Sequence, residues 1–123
     1  MRNRSISIAG VIVLAFVIAA FAAFAQTKPV KPVSVTGEVV DLWCFVDHGA
    51  HGATHKACGV ACAQGGNPIG IVDSKGKIYL IMNSEKHGGS RDNLIEHMAD
   101  TVTATGKVVS KGGLQVLYVD TIK

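Results

Sequence analysis

A mainly β domain, a five-stranded barrel interrupted by helical segments after its first and third strands, is the fold class this sequence predicts. Three observations predict it. Short β-branched runs recur from Val33 to Ile122. Two of the connections between them, Asp73-Ser-Lys-Gly76 and Lys111-Gly-Gly113, have the length and residue types of hairpin turns. The β pattern then breaks twice, at a His-, Gly- and Cys-rich stretch over 47–68 and at a helix-spaced segment over 92–99.

The chain opens differently. Met1-Arg-Asn-Arg-Ser5 is basic, Ile6 to Phe24 is almost unbroken Ala, Val, Ile, Leu and Phe, and Ala23-Phe24-Ala25 places small residues at −3 and −1 before Gln26. Basic, apolar and small-residue regions in that order are the signature of a secretory signal peptide, so residues 1–25 are expected to be cleaved after export to the periplasm or beyond. An uncleaved run of this length would instead approach a bilayer span and anchor the protein to the membrane. Arg2 and Arg4 are not a twin-arginine pair, and no cysteine follows the cleavage site to be lipidated.

Removing Arg2 and Arg4 lowers the formal charge from +3 to +1. Such a near-neutral domain gives no electrostatic case for nucleic acid or anionic lipid. The remaining 98 residues make one domain with a modest core. All three cysteines lie in it, and the odd count argues against simple stapling in an oxidising compartment.

Residues 26–32 carry Thr27-Lys-Pro-Val-Lys-Pro32 and read as an extended, flexible linker, leaving 33–123 as the domain. Val33 to Val46 reads as the first strand, with a bend at Gly37. Within the insertion over 47–68, Ala53 to Gln64 is Ala-rich and predicts a helix stopped by Gly65-Gly66. Ile69 to Asp73 and Lys77 to Met82 form the first hairpin. Leu94, Ile95 and Met98 sit at helical spacing within Asp92 to Ala99, with Ser90 or Asp92 as candidate caps. Thr101 to Ser110 and Leu114 to Ile122 form the second hairpin. Val35-Thr-Gly-Glu-Val-Val40 echoes Ala104-Thr-Gly-Lys-Val-Val109, which predicts a glycine at a barrel bend in each strand.

Strand, insertion, hairpin, helix, hairpin is the order of a five-stranded OB-type barrel, with a Cys/His-rich helical insertion after strand 1 and a short helix between strands 3 and 4. Through Thr36-Gly37-Glu38-Val39-Val40, Ile69 to Met82 and Thr101 to Ile122, the chain resembles the small exported OB-fold proteins of bacteria. That resemblance implies a fold and no single activity. A small α+β sandwich is the rival architecture.

Chemistry concentrates between Trp43 and Cys62, which holds every cysteine and three of the five histidines. His48, His51, His55, Cys58 and Cys62 are spaced +3, +4, +3, +4. On one helix, at about 100° per residue, they would share a stripe roughly 80° wide. Gly49 and Gly52 weaken a helix that early, so His55, Cys58 and Cys62 are the residues expected on one face. Imidazole and thiolate are the usual ligands of zinc, and thiolates also suit Cu(I). With Cys44 supplied from the first strand, Cys44, His55, Cys58 and Cys62 predict a Cys3His site for a zinc or copper ion, with His51 and His48 as further candidate ligands.

Its order should then depend on the ion, because the insertion is poor in large apolar residues. Cys58 with Cys62 is a poor disulfide. Helical i, i+4 Cβ atoms lie about 5–6 Å apart, against the roughly 3.5–4.5 Å needed. Cys44 with Cys58 or Cys62 remains a candidate disulfide.

Covalent haem and thioredoxin-like chemistry find no Cys-x-x-Cys. A Cys/His nucleophilic enzyme, with His55 or His51 beside Cys58, lacks an evident orienting group. The leading reading is therefore a non-enzymatic exported metal-binding protein, in a structural or metal-handling role. The alternatives are a disulfide-stapled module that binds a protein or small ligand, and a thiol redox protein. Trp43 and Phe45 read as core or barrel-mouth packing. Asp41 and Asp47 read as strand-end carboxylates that could orient a histidine. His87 and His97 read as solvated.

Overall fold

The computed structural model describes residues 31–83 and 90–123. The signal segment over 1–25, most of the linker and His87 lie outside the described residues. No helix among the described residues is long and apolar enough to cross a membrane.

The elements run β1 (Val33–Asp41), α1 (Leu42–His48), a 3-10 turn (Ala53–His55), α2 (Lys56–Gln64), β2 (Ile69–Asp73), β3 (Ile78–Asn83), α3 (Ser90–Ile95), β4 (Thr101–Lys111) and β5 (Leu114–Ile122). The five strands close into a barrel in the order β1-β2-β3-β5-β4. Four of the pairings are antiparallel, and the β3–β5 seam is parallel. This is the OB-type barrel, with helices after the first strand and between the third and fourth.

Both echoed glycines sit where the backbones press together. Gly37 is the point at which β1 passes from β4 to β2, pairing with Val102 on one side and Asp73 on the other. A Cβ there would run into the carbonyl of Val72. Gly106 follows the irregularity in the β4–β5 ladder, and a Cβ there would run into the carbonyl of Tyr118. The hairpin turns are equally local in origin. Gly112 and Gly113 both take positive φ, +57° and +83°, the conformation a tight two-residue turn demands.

The core fills the barrel with Val39, Ile69, Ile71, Leu117 and Val119. Leu94 and Met98, from α3 and the turn after it, are buried in the same cluster. The helix predicted over Asp92 to Ala99 starts earlier, at Ser90, and stops at Ile95. Ala99 then takes a positive φ of +65°, and its N–H donates to the Val39 carbonyl at 2.8 Å, which returns the chain to β1.

The largest departure from expectation is at the end of β1. A strand to Val46 is predicted from its apolar and β-branched residues, but β1 ends at Asp41 and Leu42–His48 is helical. Two residues account for this. The Asp41 side chain accepts from the Cys44 N–H at 3.0 Å and caps the helix. Gly49, at φ +70°, terminates it in the left-handed conformation. Leu42 packs over Gly70, and its N–H donates to the Pro68 carbonyl at 2.9 Å.

Candidate metal centre

Asp41, the last residue of β1, is fully buried, and Cys44 follows in the first turn of α1 with 3% exposure. Cys44 is therefore presented by a helix at the barrel's end and not by the strand itself. The chain then leaves α1 through Gly49 and Gly52, whose φ values of +70° and +78° suit glycine. These glycines break the single His/Cys stripe that the spacing suggested. The insertion re-enters helix only at the 3-10 turn, which ends in His55, and α2, which carries Cys58 and Cys62.

Two ligand groups result, and they share Cys44. One is Cys44, His55 and Cys58, and the other is Asp41, Cys44 and Cys62. Within each group the candidate donor atoms lie within 4.8 Å of one another. The Cys44 and Cys62 sulfurs are 4.0 Å apart. Two thiolates on one tetrahedral ion, each at about 2.3 Å, would be roughly 3.8 Å apart, so little movement is needed. The described residues thus contain a Cys/His cluster that could hold a metal ion.

Burial is graded across the cluster. Cys44 is buried, Cys62 half-buried and Cys58 exposed. The Asp41 carboxylate beside it, then burial and the neighbouring Cys62, push the Cys44 thiol up to about 12. Burial is the main cause that raises the Cys62 thiol, with Cys58 adding to it and Cys44 opposing. An ion binding here must displace thiol protons, which couples its affinity to pH.

Two buried side-chain atoms among the described residues lack a hydrogen-bond partner, Asp41 Oδ1 and His55 Nε2. Each sits on a residue of one of the two groups. Unpartnered buried polar atoms are uncommon and costly, and a cation satisfies both a carboxylate oxygen and a neutral imidazole nitrogen.

His48 and His51 lie outside both groups. His48 is exposed and its Nδ1 lies 3.1 Å from Asp47 Oδ2, while its ring stands edge-on to His55 at a centroid distance of 6.5 Å. His51 Nδ1 lies 3.2 Å from Glu38 Oε2. Asp47 thus does pair with a histidine. Asp41 is neither exposed nor a histidine partner, because the insertion folds over it and sets it beside two sulfurs. Trp43 is 59% exposed, because α1 turns it outward where a strand would have placed it at the barrel mouth. Phe45 is half-buried against the edge of the His51 ring. His97 is half-buried.

Sequence reasoning missed two residues that position the centre. Glu38 holds the linking loop, its Oε1 accepting from the Gly52 N–H at 2.5 Å while its other oxygen meets His51. A groove of about 490 Å3 lies beside this pair, lined in part by Glu38, His51, Phe45 and Asp73 but by no cysteine. Arg91, at the start of α3, donates through Nη2 to the carbonyls of Ala63 at 2.7 Å and Asn67 at 2.8 Å. It thereby covers the C-terminal end of α2, where backbone carbonyls lack helical partners. No protein family, curated protein or solved structure matches the chain, so the functional argument rests on these side chains.

Proposed function

We propose that this is an exported metal-binding protein that holds a zinc or copper ion between the end of β1 and the insertion, through Cys44, Cys58, Cys62 and His55. The observation that carries the reading is the coincidence of the two unpartnered buried atoms, Asp41 Oδ1 and His55 Nε2, with the two groups that share Cys44. Thiolate and imidazole donors exclude the hard ions magnesium and calcium as natural occupants. Exposure of Cys58 leaves the ion open to a competing thiolate from solvent, which favours a metal-handling role over a permanent brace. Export rests on the basic, apolar and small-residue order over 1–25. Nucleic acid is not an expected partner, and membrane association is expected only if that segment is retained.

The test is elemental analysis of protein isolated from its native compartment without reductant, paired with a thiol count after denaturation in chelator. Stoichiometric zinc or copper and three titratable thiols are expected. A metal-free protein with one thiol supports a second reading, a Cys44–Cys62 disulfide in a ligand-binding module. The 4.0 Å approach of the two sulfurs is the observation that favours it. Intact mass decides the export claim, with Gln26 as the expected N-terminus.

A further inference from the structure

Asp41 is the one member of the cluster that sequence reasoning did not place there, and its setting is the most demanding. Its side chain is fully buried. One oxygen is engaged by the Cys44 N–H at 3.0 Å, and the other has no partner. It shares a ligand group with the sulfurs of Cys44 and Cys62. Helix capping explains the first oxygen only. Asparagine or serine would cap α1 about as well without placing a carboxylate in the interior. The second oxygen and the charge remain to be explained.

Charge bookkeeping at the centre supplies the explanation. The three thiolates of the proposed site already overcompensate a divalent ion by one charge and a monovalent one by two. A buried carboxylate adds a further negative charge in a region that water does not reach. A monovalent ion such as Cu(I) leaves that excess largely uncompensated, and a divalent ion relieves more of it. Carboxylate oxygen is also a harder donor than thiolate and suits zinc better than Cu(I).

Resting on the metal-binding reading above, we infer that Asp41 is a ligand of this centre and its specificity-determining residue, biasing it toward a divalent ion, zinc foremost, over Cu(I). Asp41 and Cys44 approach the ion from the barrel's end, and Cys62, Cys58 and His55 from the insertion, with four of these five donors filling a tetrahedral site at a time. Binding exchanges thiol protons for the ion and involves no electron transfer.

The experiment uses the reduced full-length mature protein and its Asp41→Asn variant. Zinc affinity is measured by competition with a chromophoric chelator, and Cu(I) affinity with a Cu(I)-selective chelator under anaerobic conditions. Zinc binding should weaken about 10–100-fold in Asp41→Asn, while Cu(I) binding is unchanged or tightened. An equal loss for both ions would make Asp41 merely structural and overturn the inference, as would unchanged zinc affinity. In either case the metal-binding reading survives, because the wild-type protein still binds. A wild-type protein that binds neither ion overturns both. Asp41→Ser, which keeps a capping oxygen, repeats the test if the asparagine variant folds poorly. Infrared difference spectra of apo and zinc-loaded wild type need no variant. A shifted carboxylate band is expected on loading, and its absence counts against ligation by Asp41.

Discussion

Arg91 ties the insertion to the barrel: its guanidinium bridges the carbonyls of Ala63 and Asn67, at 2.7 and 2.8 Å, across more than twenty residues of chain. A hydrogen bond that involves a charged group is worth about 1.5–3 kcal/mol, and the Ala63 carbonyl also accepts from the Gly66 N–H at 3.0 Å. Arg91→Ala should therefore lower stability by that order in chemical denaturation. Arg91→Lys should recover only part of the loss, because one ammonium cannot hold both carbonyls and also keep the Nη1 contact to Asp92. A variant as stable as wild type would show that the bridge contributes nothing.

Removal of the proposed ion should loosen the insertion unevenly. Its C-terminal half is held without metal, by Arg91, by burial of Ala63, and by Met98 packed on Gly59. Its N-terminal half rests on Glu38 and the centre itself. Amide hydrogen exchange on metal-loaded and chelated protein should show protection falling over 49–58 while 60–64 and the strands keep theirs. Uniform loss across 49–64 would mean that the ion orders the whole insertion. No loss anywhere would mean that the centre is preformed.

Much of the fold was legible because its causes are local. The hairpin turns announce themselves through Asp73, Gly76, Gly112 and Gly113, and the barrel bends through Gly37 and Gly106. Helix α1 was not legible, since Trp43, Phe45 and Val46 are good strand residues. Only the Asp41 cap and the Gly49 terminus betray it, and tertiary packing of Leu42 on Gly70 decides the matter. For the centre, spacing along α2 pointed to His55, Cys58 and Cys62. The burial of Asp41, the loop hold of Glu38 and the bridge from Arg91 all arise between segments distant in sequence. No periodicity marks such contacts.

Substituting alanine at Gly37 or Gly106 should each destabilise the barrel by at least about 1–3 kcal/mol, the usual cost of overpacking. At both positions the obstacle is a backbone carbonyl, of Val72 or of Tyr118, which cannot rotate away as a side chain would. Thermal melts of the two variants check this. Gly65→Ala should cost less, since its φ of −70° suits alanine and the backbone oxygens nearest an added Cβ, of Cys62 and Ala61, stand at 3.3 and 3.4 Å, a tight contact and not an overlap.

Acid should weaken the first hairpin through Asp73. Its Oδ1 accepts from the backbone N–H groups of Lys77 and Lys75, both at 2.9 Å, and the Lys77 bond is the main cause that holds its carboxyl below the ordinary 3.8. A folded-state value below the unfolded one means that the contribution is fully present above the unfolded value. It is lost as pH falls through the folded one. The stability difference between wild type and Asp73→Asn should be constant from neutral pH down to about 5 and shrink below about 4. A difference that stays constant to pH 2 would remove the carboxylate's charge from the account.

The parallel β3–β5 seam governs the order in which this molecule can assemble. β5 completes both the β4 hairpin and the closure against β3, so the cylinder remains an open sheet until Leu114–Ile122 has docked. Pairing β3 with β5 joins segments about 35 residues apart, and the entropy of closing that loop must be met before the seam yields any contacts. The cysteines, by contrast, lie within 19 consecutive positions near the start of the domain. Their cluster has the shorter search, so thiol chemistry can be complete while the barrel is still unzipped. The redox conditions at that early moment then bear on the state in which the three thiols enter the finished fold.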